Sequence, residues 1–264
     1  MRYIFDNDLH IHSKISLCCG DDGQTSDRIL QYAKENNLKT ICLTNHFWDE
    51  KVAGASDWYA LQDFEHINKA NPLPQSENVR FLFGCETELN NKLTLGISEE
   101  RLKNFDFIVI PATHFHMVGY TLTEEESSSA TNKAKAWVKR VSRILDMDLP
   151  FRKVGLAHLT CHLMGETREE YLDVIEKIPV EEMTKIFDRA SALGVGIELN
   201  GKDMGFSDDE ANTVLLPYRI AKECGCKFYC GSDAHSTGEL DKAKSVFERA
   251  IDFLDLEEND KFIL

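Results

Sequence analysis

The stretch KFYCGSDAHS, residues 227–236, places an aspartate and a histidine just after a run that has the apolar and aromatic character of a buried strand. The stretch DLHIHS, residues 8–13, places two histidines at the end of a similar run. Side chains two residues apart on a strand project to the same side. If the first and last strands are neighbours, His10, His12, Asp233 and His235 would therefore form one set of metal ligands.

Short apolar runs alternate with longer segments of helical periodicity between these two stretches. We predict strands at residues 3–9, 39–44, 80–86, 106–112, 153–157, 195–199 and 227–231. We predict helices at residues 25–37, 57–69, 98–104, 123–147, 167–175, 180–193, 207–224 and 238–254. This alternation is typical of a parallel sheet covered by helices, and seven such units indicate an α/β barrel rather than an open sheet.

Composition sets limits on the fold and the partners. The 264 residues include 42% hydrophobic ones and carry a formal net charge of −15, and no linker or change of composition marks a boundary. We therefore expect one domain over residues 1–264. The acidic balance argues against binding to long nucleic acid or to an anionic membrane, since either would need a basic surface. We find neither the apolar core of a signal peptide nor a run of membrane-spanning length, so we expect a cytoplasmic protein. The oligomeric state stays open.

The eight cysteines show no CxxC spacing of the zinc-finger type. Cys18 and Cys19 are adjacent, and several others fall in or beside apolar runs. We interpret them as buried or reduced thiols rather than as a disulfide framework.

Histidine placement is the most informative feature of the chain. Eight of the nine histidines lie at or just beyond the predicted carboxyl end of a strand: His10, His12, His46, His114, His116, His158, His162 and His235. In an α/β barrel these ends converge on one face, where active sites form. Imidazole and carboxylate ligands suit Zn²⁺, Mn²⁺ or Fe, and two or three ions are expected because the ligands exceed what one ion needs. Glu86 could bridge two of these ions.

The fragments DLHIHS, TNH, GCE, ATHFH, LAHL and GSDAHS, in this order, resemble the polymerase and histidinol phosphatase (PHP) family from Asp8 to beyond His235. The resemblance implies a distorted seven-stranded TIM-like barrel, a site for three metal ions and phosphoesterase activity. The metal ligands that it implies are His10, His12, His46, Glu86, His114, His158, Asp233 and His235.

Two positions qualify this resemblance. A ninth family ligand follows the HxH pair, and we predict Asp21 in this role, with Asp22 as the alternative. Asn45 stands where the family commonly has an aspartate that supports the ligands. The amide can still accept a hydrogen bond, but it adds no charge.

Further residues are candidates for contact with the substrate. His116 could hold a phosphate or protonate the leaving group, or it could be a polar rim residue. Lys202, in IELNGKD, could clamp the phosphate, or it could be an exposed loop lysine. His162 could replace His158 as a ligand. We assign catalytic roles to His116, Glu86 and Asp233.

The resulting hypothesis is a metal-dependent phosphatase acting on a small phosphate monoester, such as histidinol phosphate, through a metal-bridging hydroxide. Three alternatives remain at this point. One is a phosphodiesterase or nuclease acting on nucleotides or short oligonucleotides. Another is a metal-dependent amidohydrolase, and the last is a metal-binding module without activity.

Overall fold

A computed structural model describes residues 1–264. It contains nine strands: β1 (Asn7–Ile11), β2 (Thr40–Leu43), β3 (His46–Phe47), β4 (Arg80–Phe83), β5 (Cys85–Thr87), β6 (Ile108–Pro111), β7 (Val154–Ala157), β8 (Gly196–Asn200) and β9 (Lys227–Gly231). Only two residues separate β2 from β3, and only Gly84 separates β4 from β5. The nine strands therefore occupy seven positions, as predicted.

Nine α-helices lie between these strands and a tenth follows β9: α1 (Ser26–Glu35), α2 (Phe64–Ile67), α3 (Glu99–Leu102), α4 (Glu124–Ser127), α5 (Ala130–Leu145), α6 (Arg168–Glu176), α7 (Val180–Leu193), α8 (Ala211–Val214), α9 (Leu216–Glu223) and α10 (Thr237–Leu254). Thr25 caps α1, because its side chain accepts a hydrogen bond from the Arg28 N–H. Gly194 ends α7 in the left-handed conformation, at φ 76°.

All strand pairs are parallel, in the orders β1-β2-β4 and β3-β5-β6-β7-β8-β9. The ring is completed where β1 meets the residues after β9. The Asp233 N–H donates to the His10 carbonyl at 2.7 Å, and the His12 N–H donates to the Ala234 carbonyl at 3.1 Å. The prediction of a distorted seven-stranded α/β barrel, with its first and last strands adjacent, is confirmed.

Alternate residues along the strands enter two separate apolar clusters. Val109 of β6 and Phe107, the residue just before β6, belong to an inner cluster of eight residues, whereas Ile108 and Ile110 of β6 belong to an outer cluster of 66. The inner cluster comprises Leu9, Cys42, Leu82, Phe107, Val109, Ala157, Tyr229 and Phe262. Side chains on the two faces of a strand thus fill the barrel interior and the layer between barrel and helices, respectively.

Several predicted boundaries are wrong. The first strand begins at Asn7 rather than at residue 3, because the Tyr3 hydroxyl and N–H bond to the Phe228 and Leu256 carbonyls outside the β1–β2 ladder. The helix predicted at 123–147 is two helices, because extended Ser129 caps α5. The predicted helices at 57–69 and 207–224 are likewise divided into shorter pieces.

The outer apolar cluster draws its residues from the whole chain, from Tyr3 to Leu256. No helix combines the length and the apolar character that crossing a membrane requires.

Candidate metal centre

The carboxyl ends of the strands surround a cavity of about 520 Å³, which we call the mouth cavity. Eight of the predicted site residues line it: His46, Glu86, His114, His116, His158, Lys202, Asp233 and His235. His10 and His12 are fully buried directly beneath, and their Nε2 atoms lie 3.0 Å apart. The structure therefore gathers all the predicted metal ligands except Asp21.

An irregularity in β1 positions the first histidine pair. The pairing of β1 with β2 shifts register between Asp8 and Ile11. Leu9 packs in the inner cluster and Ile11 in the outer one, so the irregularity falls around His10. A local break in the ladder re-aims a side chain, and it places His10 beside His12.

Left-handed backbone positions two other proposed ligands. His158 has φ 54° and Asp233 has φ 51°, values that are uncommon for residues other than glycine. β9 ends at Gly231, so the expectation that Asp233 and His235 continue the alternation of a strand is wrong. Such conformations concentrate at functional sites, where the surrounding structure holds them in place.

Glu86 is the centre of the arrangement. Its Oε2 lies 2.9 Å from His46 Nδ1, 3.2 Å from His12 Nε2 and 3.5 Å from His10 Nε2. Its Oε1 lies 3.7 Å from His158 Nε2 and 3.8 Å from His114 Nε2. The two carboxylate oxygens thus face two different groups of imidazoles, as a carboxylate bridging two ions requires.

Three of these five spacings are longer than an ordinary N···O hydrogen bond, and they suit two ligands of one divalent ion. Both Glu86 oxygens, His46 Nδ1 and His158 Nε2 are buried without a hydrogen-bond partner. Buried polar groups normally have partners, so orphaned atoms of this kind call for an explanation. Two ligands held tetrahedrally at about 2.1 Å from zinc lie about 3.4 Å apart. Most of the distances around Glu86 are close to this value, so the residues present fit the ions that the resemblance implies.

Buried carboxylates contact the Nδ1 atoms of three of the histidines and so orient their rings. Glu198 Oε1 lies 2.6 Å from His10 Nδ1, and Asp203 Oδ1 lies 3.4 Å from His158 Nδ1. A Cβ atom at Gly231 would approach Glu198 Oε1 to 2.1 Å, so only glycine leaves room for this carboxylate. Carboxylates in such positions fix the tautomer and orientation of ligating histidines.

Glu88 supports the third of these histidines. Its Oε2 lies 2.9 Å from His114 Nδ1, and its Oε1 accepts a hydrogen bond of 2.8 Å from buried Arg140. The sequence did not lead us to predict Glu88 or Asp203 as residues that support the ligands. For Glu88 a signal was available, because it stands two residues after Glu86, the spacing that places side chains on the same side of an extended segment.

Asn45 contacts the proposed ligand His12 indirectly, through Ser16. Its Oδ1 accepts hydrogen bonds from the Ser13 N–H and the Ser16 hydroxyl, and that hydroxyl lies 3.0 Å from His12 Nδ1. The expectation that the amide would still accept hydrogen bonds agrees with this network.

Charges within the cluster compensate one another. Burial by itself would raise the pKa of Glu86, but the charges on His46 and His10 hold it well below its usual value. Burial lowers the pKa of His46, whereas the Glu86 charge and the Cys18 thiol raise it more strongly, to about 10. Burial and neighbouring His12 lower the pKa of His235 to about 2. At neutral pH, protons on some imidazoles therefore balance the buried carboxylates, and metal ions can take over this function.

Asp21 lies outside the cluster, contrary to the prediction. Its Oδ2 accepts hydrogen bonds from the N–H and hydroxyl of Thr237, the first residue of α10, and its Oδ1 accepts one from the Gly23 N–H. The loop instead presents Cys18 to the mouth cavity. Ligand atoms of Cys18, His12, His46 and His235 all lie within 4.8 Å of one another.

The remaining candidates line the same cavity. Lys202 Nζ lies 3.2 Å from both Asp233 Oδ2 and His235 Nδ1. His116 is exposed, and its ring centre is 5.7 Å from that of His114. β6 ends at Pro111, so His114 and His116 both lie in the loop that follows it. His162 also lines the cavity, but no group of potential ligand atoms includes it.

Comparison with known proteins places this arrangement in a family. The family model described as "PHP domain" matches residues 8–254. The chain belongs to the PHP domain family. The match covers both the His10–His12 pair and the Asp233–His235 pair, so the PHP resemblance read from the sequence is confirmed.

Two solved structures share the fold of this PHP domain. One is histidinol phosphate phosphatase from Lactococcus lactis, complexed with zinc, L-histidinol and phosphate; it has 15% identity, TM-score 0.55 and 93% coverage of each chain. The other is a putative histidinol phosphatase from Listeria monocytogenes, with 14% identity, TM-score 0.66, and coverage of 91% of this chain and 99% of that chain. A comparison with curated proteins gives no match.

Proposed function

We propose that this PHP domain is a metal-dependent phosphatase that hydrolyses a small phosphate monoester in the mouth cavity. Nine groups hold two or three divalent ions in this proposal. Eight are the gathered ligands His10, His12, His46, Glu86, His114, His158, Asp233 and His235, and the ninth is treated below.

The observation that carries the proposal is the environment of Glu86. A fully buried carboxylate without a hydrogen-bond partner, facing imidazoles on both oxygens, would be strongly unfavourable unless cations shared it. The family match and the histidinol phosphatases of the same fold support phosphate ester hydrolysis as the use of these ions.

The bound ions would supply a hydroxide nucleophile and positive charge for the phosphoryl oxygens. Lys202 would add a further cation at the rim of the cavity. Its ammonium group is already held beside Asp233, so little ordering is needed for a contact with phosphate.

His116 is the candidate for protonating the leaving group. Burial and the charge on His114 lower its pKa to about 4, so it is neutral at pH 7 before the substrate binds. A phosphate dianion nearby would favour its protonated form, because opposite charges raise the pKa of an imidazole. His116 is exposed at the cavity, where it can reach an ester oxygen.

The cavity wall favours a substrate with a compact ring. Trp58 and Tyr59 line the cavity beside His46, with ring centres 5.1 and 5.9 Å from it. Because the Lactococcus lactis protein of this fold is complexed with L-histidinol and phosphate, histidinol phosphate is the first natural ester to assay.

The first experiment combines elemental analysis with hydrolysis of p-nitrophenyl phosphate and bis(p-nitrophenyl) phosphate. We expect at least two bound divalent ions per chain and faster turnover of the monoester. Glu86→Gln should lose both properties, while Glu77→Gln, an exposed glutamate away from the cavity, should retain them. Preference for the diester would favour the phosphodiesterase alternative, and a metal-loaded protein inert on both esters would contradict the proposal.

A second experiment tests His116 with a series of leaving groups. If His116 protonates the leaving group, His116→Gln should lower kcat far more for phenyl phosphate than for p-nitrophenyl phosphate, whose leaving group needs little protonation. Equal losses for both substrates would assign His116 to phosphate binding instead.

A further inference from the structure

We infer that the Cys18 thiolate binds one of the ions, together with His46 and His235, at the position where the sequence had suggested a carboxylate. This inference rests on the proposed metal-dependent function and deepens it. It assigns a sulfur ligand to a centre otherwise made of nitrogen and oxygen ligands.

The geometry around Cys18 is that of a ligand set. Atoms of Cys18, His12, His46 and His235 come within 4.8 Å of one another, and the Cys18 thiol lines the mouth cavity. A zinc ion held about 2.3 Å from sulfur and about 2.1 Å from nitrogen leaves those two atoms about 3.6 Å apart. His46 Nδ1, which has no hydrogen-bond partner, belongs to the same group.

The neighbouring groups of the loop are engaged elsewhere. Both carboxylate oxygens of Asp21 accept hydrogen bonds, from Thr237 and Gly23. The Cys19 thiol donates to the His235 carbonyl at 2.9 Å. Cys18, six residues after His12, brings its sulfur to the imidazoles of His12, His46 and His235.

A thiolate ligand changes the chemistry of this ion. Binding of the metal replaces the thiol proton, which goes to the solvent, by a sulfur–metal bond. Sulfur is a softer ligand than a carboxylate oxygen, so this position should favour zinc over manganese. Replacing Cys18 by aspartate should shift the preference toward manganese.

Cobalt substitution tests the sulfur ligand directly. The protein is stripped of metal and titrated with Co²⁺, and the near-ultraviolet sulfur-to-cobalt charge-transfer absorption is recorded alongside the number of bound ions. We expect the band in the unaltered protein and its loss in Cys18→Ser and Cys18→Asp. Two controls should keep the band: Cys19→Ser removes the adjacent thiol, and Cys224→Ser removes a partly exposed thiol outside the mouth cavity.

A competition experiment supplies a second measurement. The ratio of zinc to manganese bound at equilibrium should fall about 10–100-fold in Cys18→Asp, the range typical of changes around a metal ligand. Circular dichroism of each variant verifies that the fold is intact.

The outcomes separate this inference from the proposed function. A protein that binds cobalt and hydrolyses phosphate monoesters, but lacks the charge-transfer band, overturns the role of Cys18 and leaves the function intact. Persistence of the band in Cys18→Asp also overturns it. A protein that binds no divalent metal overturns both.

Discussion

The two ends of the barrel interior are built by the same strands but have opposite chemistry. At the amino ends of the strands the interior is apolar, and Phe262 from the chain terminus packs there with its ring centre 5.9 Å from Phe107. At the carboxyl ends the interior holds imidazoles and carboxylates that are equally buried, such as His10 and Glu86.

The barrel interior changes from apolar to polar within four residues at three places in the sequence. Cys42 of the inner cluster precedes His46 by four residues, Leu82 precedes Glu86 by four, and Tyr229 precedes Asp233 by four. At about 3.3 Å per residue for a fully extended segment, the two layers are at most about 13 Å apart.

The two ends therefore contribute differently to the stability of the fold and to metal binding. Burial of apolar surface at the amino end favours folding, whereas burial of charged groups at the carboxyl end opposes it unless they are paired or bound to metal. Substitutions at the two ends should therefore change different measured quantities.

The largest effect is expected from Glu86→Gln. The neutral amide cannot bridge two ions, so metal affinity should fall by more than about 100-fold, which is the upper end for the loss of a residue that only supports a ligand. Isothermal titration with zinc measures the affinity, and Glu77→Gln is the matched control. If Glu86→Gln kept its zinc affinity, the carboxyl end of the barrel would not be the metal-binding end through Glu86, and this prediction would be wrong.

Phe262→Ala probes the opposite end. We expect the free energy of unfolding to fall by about 3–5 kcal/mol, because a nearly buried ring leaves a cavity in the inner cluster. Denaturant unfolding measures this change, and Ile263→Ala, at a side chain that is 82% exposed, should stay within about 0.5 kcal/mol.

The folded Phe262→Ala protein should bind zinc as tightly as the unaltered chain. A large loss of zinc affinity without unfolding would show that the two layers are coupled rather than independent.

Glu198→Gln alters a residue that contacts a proposed ligand, His10, without being a proposed ligand itself. Loss of the carboxylate behind His10 should weaken zinc binding by about 10–100-fold, because the imidazole loses the partner that fixes its orientation. Competition with a chelator of known affinity measures the change. An unaltered affinity would indicate that His10 is oriented by its strand alone.

The last prediction concerns the dependence of zinc affinity on pH. The pKa of His10 is raised well above its usual value and that of His46 to about 10, so both hold protons near pH 7 that zinc must displace. Affinity should therefore rise with pH below these values, by about tenfold per pH unit for each proton released. Calorimetry in buffers of different ionisation enthalpy counts the protons, and a count of zero would contradict the predicted proton balance.

The sequence predicted the strand positions better than the helix boundaries. Apolar runs that alternate with helical segments identified all seven strand positions, because burial on both faces leaves a strong pattern. The stretches at 57–69 and 207–224 carried helical composition, but Asp63 caps a new helix within the first and Pro217 stands in the first turn of α9 within the second. Composition over a window does not locate such breaks.

Which residues gather at the mouth cavity could be predicted because the carboxyl ends of barrel strands converge. The choice between Asp21 and Cys18 could not, since both stand in a loop without periodicity. Asp21 is directed away because α10 offers it the N–H and hydroxyl of Thr237, which lies 216 residues further along the chain.

The sequence by itself determined the order of strands, the set of polar residues at their carboxyl ends and the family. Tertiary structure decided how those residues face one another: the irregularity around His10, the left-handed backbone at His158 and Asp233, and the carboxylates behind the histidines. The physical reason is that composition and periodicity report local burial, whereas the direction of a side chain at a strand end depends on the neighbouring strands that hold it.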